Sequence, residues 1–129
     1  MYSNDLVTKL QFANKIGITS APLVIKHIKV NSQESIIITE YPNCTGDIVP
    51  ILDFEEKINT ETKEKLLQDA KTLASNNLAN LWVAKGLAHW EICLENNKVF
   101  WSGWESLQRV DDSTANDIFE KIKTKIEQL

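Results

Sequence analysis

The longest periodic pattern in the chain lies between Leu66 and Trp82, where Leu66, Leu67, Ala70, Leu73, Ala74, Leu78, Leu81 and Trp82 recur at the i, i+3, i+4, i+7 spacing that lines one face of a helix. The pattern predicts a single helix over this stretch, breaking at Gly86. Asn59 or Thr60 is its expected N-cap, and Glu61 and Glu64 sit in the first turn where the helix dipole favours acids. The apolar face is wide, spilling over at Ala79 and Val83, and it encloses Asn77. A buried asparagine needs a partner, so Asn77 is either bonded to a nearby backbone group or fixes the register of a helix-mediated dimer.

Beyond Gly86 the pattern changes to strand-like alternation. Asn96-Asn97 separates 87–95 from 98–104, and asparagine tolerates the positive φ that a two-residue turn demands. Such a turn pairs Glu95 with Lys98, Leu94 with Val99, Ile92 with Trp101 and Trp90 with Gly103. That face is expected to be core. The other, with His89, Glu91, Cys93, Phe100 and Trp104, is too apolar for water and too polar for a sealed core, and reads as a contact surface.

Before this unit, an apolar-rich segment from Asn4 or Asp5 to Ile16 reads as a helix stopped by Gly17. Leu23 to Val30 and Ser35 to Tyr41 are β-branched runs parted by polar residues, and form a hairpin. After the turn cluster at 42–46, Ile48 to Leu52 is a short third strand whose Pro50 suits only an edge or a bulge. A last helix starts near Ser113 or Thr114, where Thr114 and Asp117 approximate a capping box, and carries Ile118, Ile122, Ile126 and Leu129 on one stripe. The order is α-β-β-β-α-β-β-α. It predicts an α+β fold, a twisted antiparallel sheet covered by helices, as one domain over 1–129.

Composition narrows the chemistry. At 43% hydrophobic and 25% charged residues the chain is an ordinary globular one, not a disordered one. A net charge of −4 and a single arginine, Arg109, argue against nucleic acid as a partner. Cys44 and Cys93 lie in no metal or redox spacing, so reduced thiols in a cytoplasm are expected, and the Asn43-Cys44-Thr45 sequon carries no meaning there. No basic-then-apolar leader and no apolar run of about 18 residues is present, so a soluble, unprocessed protein without membrane insertion is expected.

Catalytic motifs are weak. His89-x-Glu91 followed by Asn96 echoes a kinase catalytic loop, but the catalytic aspartate would be Glu91, the Mg²⁺-binding aspartate would be Gly103, and no glycine-rich phosphate loop precedes them. His27 and His89 with scattered carboxylates make no metal site. A non-enzyme without catalytic residues, metal or cofactor is expected.

Two stretches carry a resemblance. Phe12-Ala13-Asn14-Lys15-Ile16-Gly17-Ile18, and Leu78-Ala79-Asn80-Leu81-Trp82 followed by Gly86 and a hairpin, are similar to passages of the class I chaperones of type III secretion, the Tir-chaperone family. Size, element order and acidic pI agree with it. The resemblance implies a cytoplasmic homodimer that binds the N-terminal region of a secreted effector in extended form, keeping it soluble and competent for secretion. It further implies a dimer interface at Leu73, Asn77, Leu78, Leu81, Trp82, Trp90, Ile92 and Leu94, and effector-binding grooves involving Leu6, Leu10, Phe12, Ile16, Ile25, Ile37 and Trp104. The competing reading is an immunity or antitoxin-type protein that binds and blocks a folded toxin.

Overall fold

In the computed structural model, which describes residues 2–18, 20–51, 58–81 and 90–129, helix α1 (Tyr2–Lys15) ends as its glycine predicts. Gly17 takes φ 93°, and the Ile18 N–H reaches back to the Ala13 carbonyl at 3.0 Å. Strands β1 (Leu23–Lys29) and β2 (Ser35–Glu40) follow as the expected antiparallel hairpin, paired from Leu23↔Glu40 to Lys29↔Ser35. Its turn is closed by the Asn31 side chain, which accepts from the Gln33 and Glu34 amides at 2.8 and 2.9 Å. Next come β3 (Ile48–Pro50), α2 (Thr60–Ser75), β4 (Leu78–Asn80), β5 (Trp90–Cys93) and β6 (Val99–Trp101). A 3₁₀ turn (Trp104–Ser106) leads through β7 (Leu107–Arg109) into α3 (Asp112–Glu127).

The class is α+β, but the single sheet is replaced by three small antiparallel ones among the described residues: β1-β2, β3-β5-β6 and β4-β7. Two of these strands, β4 and β7, are additional to the expected order. Pro50 lies on the edge strand β3, where its missing N–H interrupts no ladder.

The long helix is shorter than its periodicity suggested. Asn59 is the N-cap, accepting from the Thr62 amide at 2.9 Å, but α2 stops at Ser75. Asn77 adopts left-handed φ 56°, its N–H returns to the Ala74 carbonyl, and its side-chain amide donates to Asp112. Asparagine accepts this conformation at a helix end, and the backbone after it gains partners by pairing β4 with β7 from Leu78↔Arg109 to Asn80↔Leu107. The apolar pattern runs through the break because the helix face and the strand meet the same core. Asn80 is fully buried there, donating to the Ser102 carbonyl and accepting from the Ser106 hydroxyl, each at 3.0 Å. The expected end at Trp82 and the break at Gly86 lie outside the described residues.

The second hairpin pairs two residues out of the expected register. Trp90 faces Trp101, Glu91 faces Phe100 and Ile92 faces Val99. The Cys93 amide donates to the Lys98 carbonyl and the Asn97 amide to the Cys93 carbonyl, both at 2.8 Å, so residues 94–97 form the loop and Leu94 is no strand residue. Because the slip is even, every side chain keeps its face. Trp90 and Trp101 meet edge-to-face at 5.9 Å, and the Trp104 indole donates to the Trp101 carbonyl at 2.7 Å.

The opposite face is interior too, against expectation. Phe100 and Cys93 are fully buried. Tyr41 stands edge-on to Phe100 at 4.9 Å, and Cys93 is joined to Cys44 by a disulfide, so the reading of these cysteines as reduced thiols is corrected. At the other end, Asp111 caps α3 by accepting from the Thr114 amide at 2.7 Å, which begins the helix earlier than Ser113 or Thr114. The core gathers Leu10 and Ala13 of α1, Leu66, Ala70 and Leu73 of α2, the Trp90–Trp101 pair, and Ile118, Ile122 and Ile126 of α3.

Candidate functional site

Among the described residues, the β1–β2 ribbon carries the apolar surface that the fold leaves exposed. The large apolar side chains that stand exposed among the described residues are Leu23, Ile25, Ile28, Val30, Ile36 and Ile38, all in this ribbon or at its end. One face, with Val24, His27 and Ile37, is half-buried and turned toward α1. Directly paired residues share a face, so Leu23, Lys26 and Ile28 of β1 lie with Ile36, Ile38 and Glu40 of β2 on the outer side. Ile36 and Ile38 remain 51% and 45% exposed, values far from those of a core strand.

The two edges of the ribbon differ. β1 carries a bulge between Val24 and Lys26 and two lysines, Lys26 and Lys29, the devices that keep an edge from pairing. β2 reads Ser-Ile-Ile-Ile-Thr-Glu without bulge, proline or lysine. The Val30 amide bonds to the Glu34 carbonyl at 3.0 Å. By the alternation of antiparallel ladders, Ile28–Ile36 and Lys26–Ile38 are then the hydrogen-bonded pairs, and the backbone of Ile37 turns to the edge of β2 that no described strand pairs.

The residues expected to form effector grooves divide. Leu10 and Trp104 are buried in the core; Leu6, Phe12 and Ile16 are half-buried against it; Ile25 is 56% exposed and Ile37 half-buried on the ribbon. Phe12 lines a shallow cleft between α1 and β7 with Leu78 and Leu107, its ring 5.9 Å from the Arg109 guanidinium. Of the expected dimer residues, Leu73, Leu78, Trp90 and Ile92 are spent on the chain's own core, and Leu81, Leu94 and Asn77 are half-buried. Trp82 and His89 lie outside the described residues. The exposed isoleucines of β2 were missed as surface because a β-branched run looks the same in a core strand and in an open ribbon.

The kinase-like spacing builds no phosphate site among the described residues. Glu91 accepts a long bond from the Tyr41 hydroxyl at 3.4 Å, and the Asn96 side chain donates to the Asn43 carbonyl at 2.6 Å. No group of three His, Cys, Asp or Glu side chains among the described residues is placed to hold a metal ion. No helix among them is long and apolar enough to cross a membrane.

One buried charge stands apart from the ribbon. Asp69 is 1% exposed, accepts from the Ser20 hydroxyl and lies 3.5 Å from the Lys65 ammonium, while its Oδ1 has no hydrogen-bond partner among the described residues. Burial raises its pKa above the ordinary carboxylate value, against the pull of Ser20 and Lys65. The folded state therefore holds the proton more tightly than the unfolded chain. Asp69 favours folding most below about pH 4, its ordinary value, and that contribution is lost as pH rises through the elevated pKa. Asp69→Asn, compared with the natural chain in urea titrations from acid to neutral pH, should gain relative stability as pH rises. A difference that stays flat with pH would remove Asp69 as the source.

No protein-family model, curated protein or solved structure shows a significant match to the chain.

Proposed function

We propose that the chain is a non-catalytic binding protein that takes an extended segment of a partner along the open edge of β2. The observation that carries this reading is the contrast between the two ribbon edges: β1 is blunted by a bulge and lysines, while β2 is regular and carries no bulge, proline or lysine. An added strand gains backbone hydrogen bonds from such an edge and side-chain specificity from the flanking apolar positions. The resemblance to the class I type III secretion chaperones supplies the kind of partner, the N-terminal segment of a secreted effector held unfolded until export. A homodimer acting in the cytoplasm, without cofactor, nucleic acid or membrane insertion, belongs to the same reading.

The test is co-expression with secreted proteins encoded nearby, followed by amide exchange on the complex. The Ile37 amide should exchange quickly in the free protein and at least about tenfold more slowly when a partner segment is bound, as a newly paired edge amide does. A partner that binds tightly and leaves Ile37 unprotected would sink the reading.

A second reading has one observation in its favour. The Cys44–Cys93 disulfide suits an oxidising compartment, where cystines persist, better than a reducing cytoplasm. An immunity or antitoxin-type protein meeting a folded toxin outside the cytoplasm would have that property. It would protect a broad surface in exchange experiments instead of a single strand edge.

A further inference from the structure

The cleft between α1 and β7 is a second surface that the fold builds and leaves open. It encloses about 280 Å³, near the lower end of the range for small-molecule sites. Its floor is apolar: the buried Leu78 and Leu107 side chains meet the half-buried Phe12 ring there. Its rim is cationic, with Lys9 and Arg109 among its lining residues and no described aspartate or glutamate. On a chain of net charge −4 this is a local reversal of sign. The two cations differ. The Lys9 ammonium donates to the Glu105 carbonyl at 2.7 Å. Arg109, the chain's single arginine, lies over the Phe12 ring at 5.9 Å and joins no ion pair among the described residues. The carboxylates nearest to it in sequence are committed elsewhere: Asp111 accepts from the Thr114 amide, and Asp112 accepts from the Asn77 side chain. A guanidinium resting on a ring keeps its planar fork of N–H donors for another partner.

We propose that this cleft binds a small apolar monocarboxylate, its hydrocarbon body on Phe12, Leu78 and Leu107 and its carboxylate paired with the Arg109 fork. The rim sets the charge. A cation would face Arg109, and a dianion such as a phosphate ester would call for a second cation with its donors to spare, whereas the Lys9 ammonium is bonded to Glu105. The floor sets the body, since its three side chains carry no polar atom to meet a sugar or an amide. Neither half suffices alone. An exposed ion pair gains little in water, and a cleft of this size covers too little apolar surface to offset the freedom that a neutral hydrocarbon loses on binding. The two halves reinforce each other, because an apolar body beside the guanidinium displaces water and lessens the screening of the pair. The site is separate from the β2 edge: no described residue of the ribbon lines it, and its ligand is a small molecule instead of an extended chain.

The experiment is a titration of the isotope-labelled full chain followed by amide chemical shifts. Phenylacetate should move the Phe12, Leu107 and Arg109 amides saturably, with a dissociation constant at or below about 1 mM. Phenylacetamide, the same body without the charge, should bind at least about fivefold more weakly, a ratio at the upper end for an exposed ion pair. Acetate, the charge without the body, should leave these amides unmoved. Arg109→Gln should erase the preference for the acid over the amide. Thr8→Trp, which fills the cleft from an exposed position on α1, should abolish binding of both, with circular dichroism verifying that each variant keeps the fold. Equal affinity for acid and amide in the natural chain would overturn the pairing with Arg109. Binding of phenylacetate that survives in Thr8→Trp would overturn the site, and the absence of any saturable shift below about 10 mM would overturn the proposal as a whole.

Discussion

Trp101→Ala should cost about 3–5 kcal/mol, the usual range for emptying a buried aromatic position, and leave a chain barely folded at room temperature. Trp101 is 1% exposed and sits at the junction of three parts of the molecule. Its ring meets Trp90 edge-to-face at 5.9 Å and lies 6.4 Å from Trp104. Its amide donates to the Ser20 carbonyl at 2.9 Å, and its carbonyl accepts the Trp104 indole N–H. The backbone bonds survive the substitution in principle, so the loss comes from the cavity and the two ring contacts. Trp101→Phe refills part of that space and should recover roughly half the stability, as partial refilling of a core site does. Urea titrations followed by far-ultraviolet dichroism measure both. A loss below about 1.5 kcal/mol, the scale of deleting one or two methyl groups, would mean that the aromatic cluster does not hold the core together.

Reducing the Cys44–Cys93 disulfide, or replacing both cysteines with serine, should lower stability by a comparable amount. The bridge closes a loop across a sequence separation of 49, for which the chain-entropy relation gives about 4 kcal/mol. For a chain of this size that corresponds to a fall in melting temperature of roughly 12–20 °C. The bridge also holds the turn that covers Phe100: Tyr41 stands edge-on to that ring, and the Lys98 ammonium donates to the Pro42 carbonyl at 3.0 Å. Desolvation, reinforced by the Lys65 charge, lowers the Lys98 pKa. Melting curves with and without reductant give the answer, and equal melting temperatures would show that the bridge does not form in solution. The same comparison discriminates the two readings: a large loss on reduction favours the one outside the cytoplasm, and equal melting temperatures favour the cytoplasmic one.

The sequence and the structure part company at identifiable places. The end of α2 was hidden because Leu78 and Leu81 keep the helical spacing past Ser75, and a strand entering the same core can satisfy that spacing as well as another helical turn. What stops the helix is Asn77 in a left-handed conformation, a choice settled by the backbone partner that β7 offers to β4. β7 itself has three residues, too few for any periodicity. In the second hairpin, Asn96-Asn97 suggested a two-residue turn, yet a four-residue loop with positive φ only at Asn97 gives the same alternation and a register two residues away. Alternation alone cannot distinguish the two.

Of the residues expected to bind a partner, the sequence placed Ile25 and Ile37 on a hairpin, because β-branched runs bounded by turns mark strands wherever they occur. It could not separate them from Leu10 or Trp104. Both pairs are apolar and periodic, and only the packing of neighbouring elements decides which are covered.

What the sequence determined by itself was local: the glycine that stops α1, the start of α2 at Asn59 or Thr60, the β1–β2 hairpin, the amphipathic last helix and the α+β class. Each of these follows from φ/ψ preference, capping chemistry or hydrophobic period, which act over a few residues. The tertiary structure alone decided the Cys44–Cys93 bridge, the β4–β7 pairing, the burial of the Phe100 face and the exposure of the β2 isoleucines. These depend on which distant segments meet, and that is set by the shape of the whole core, which no local window of the chain contains.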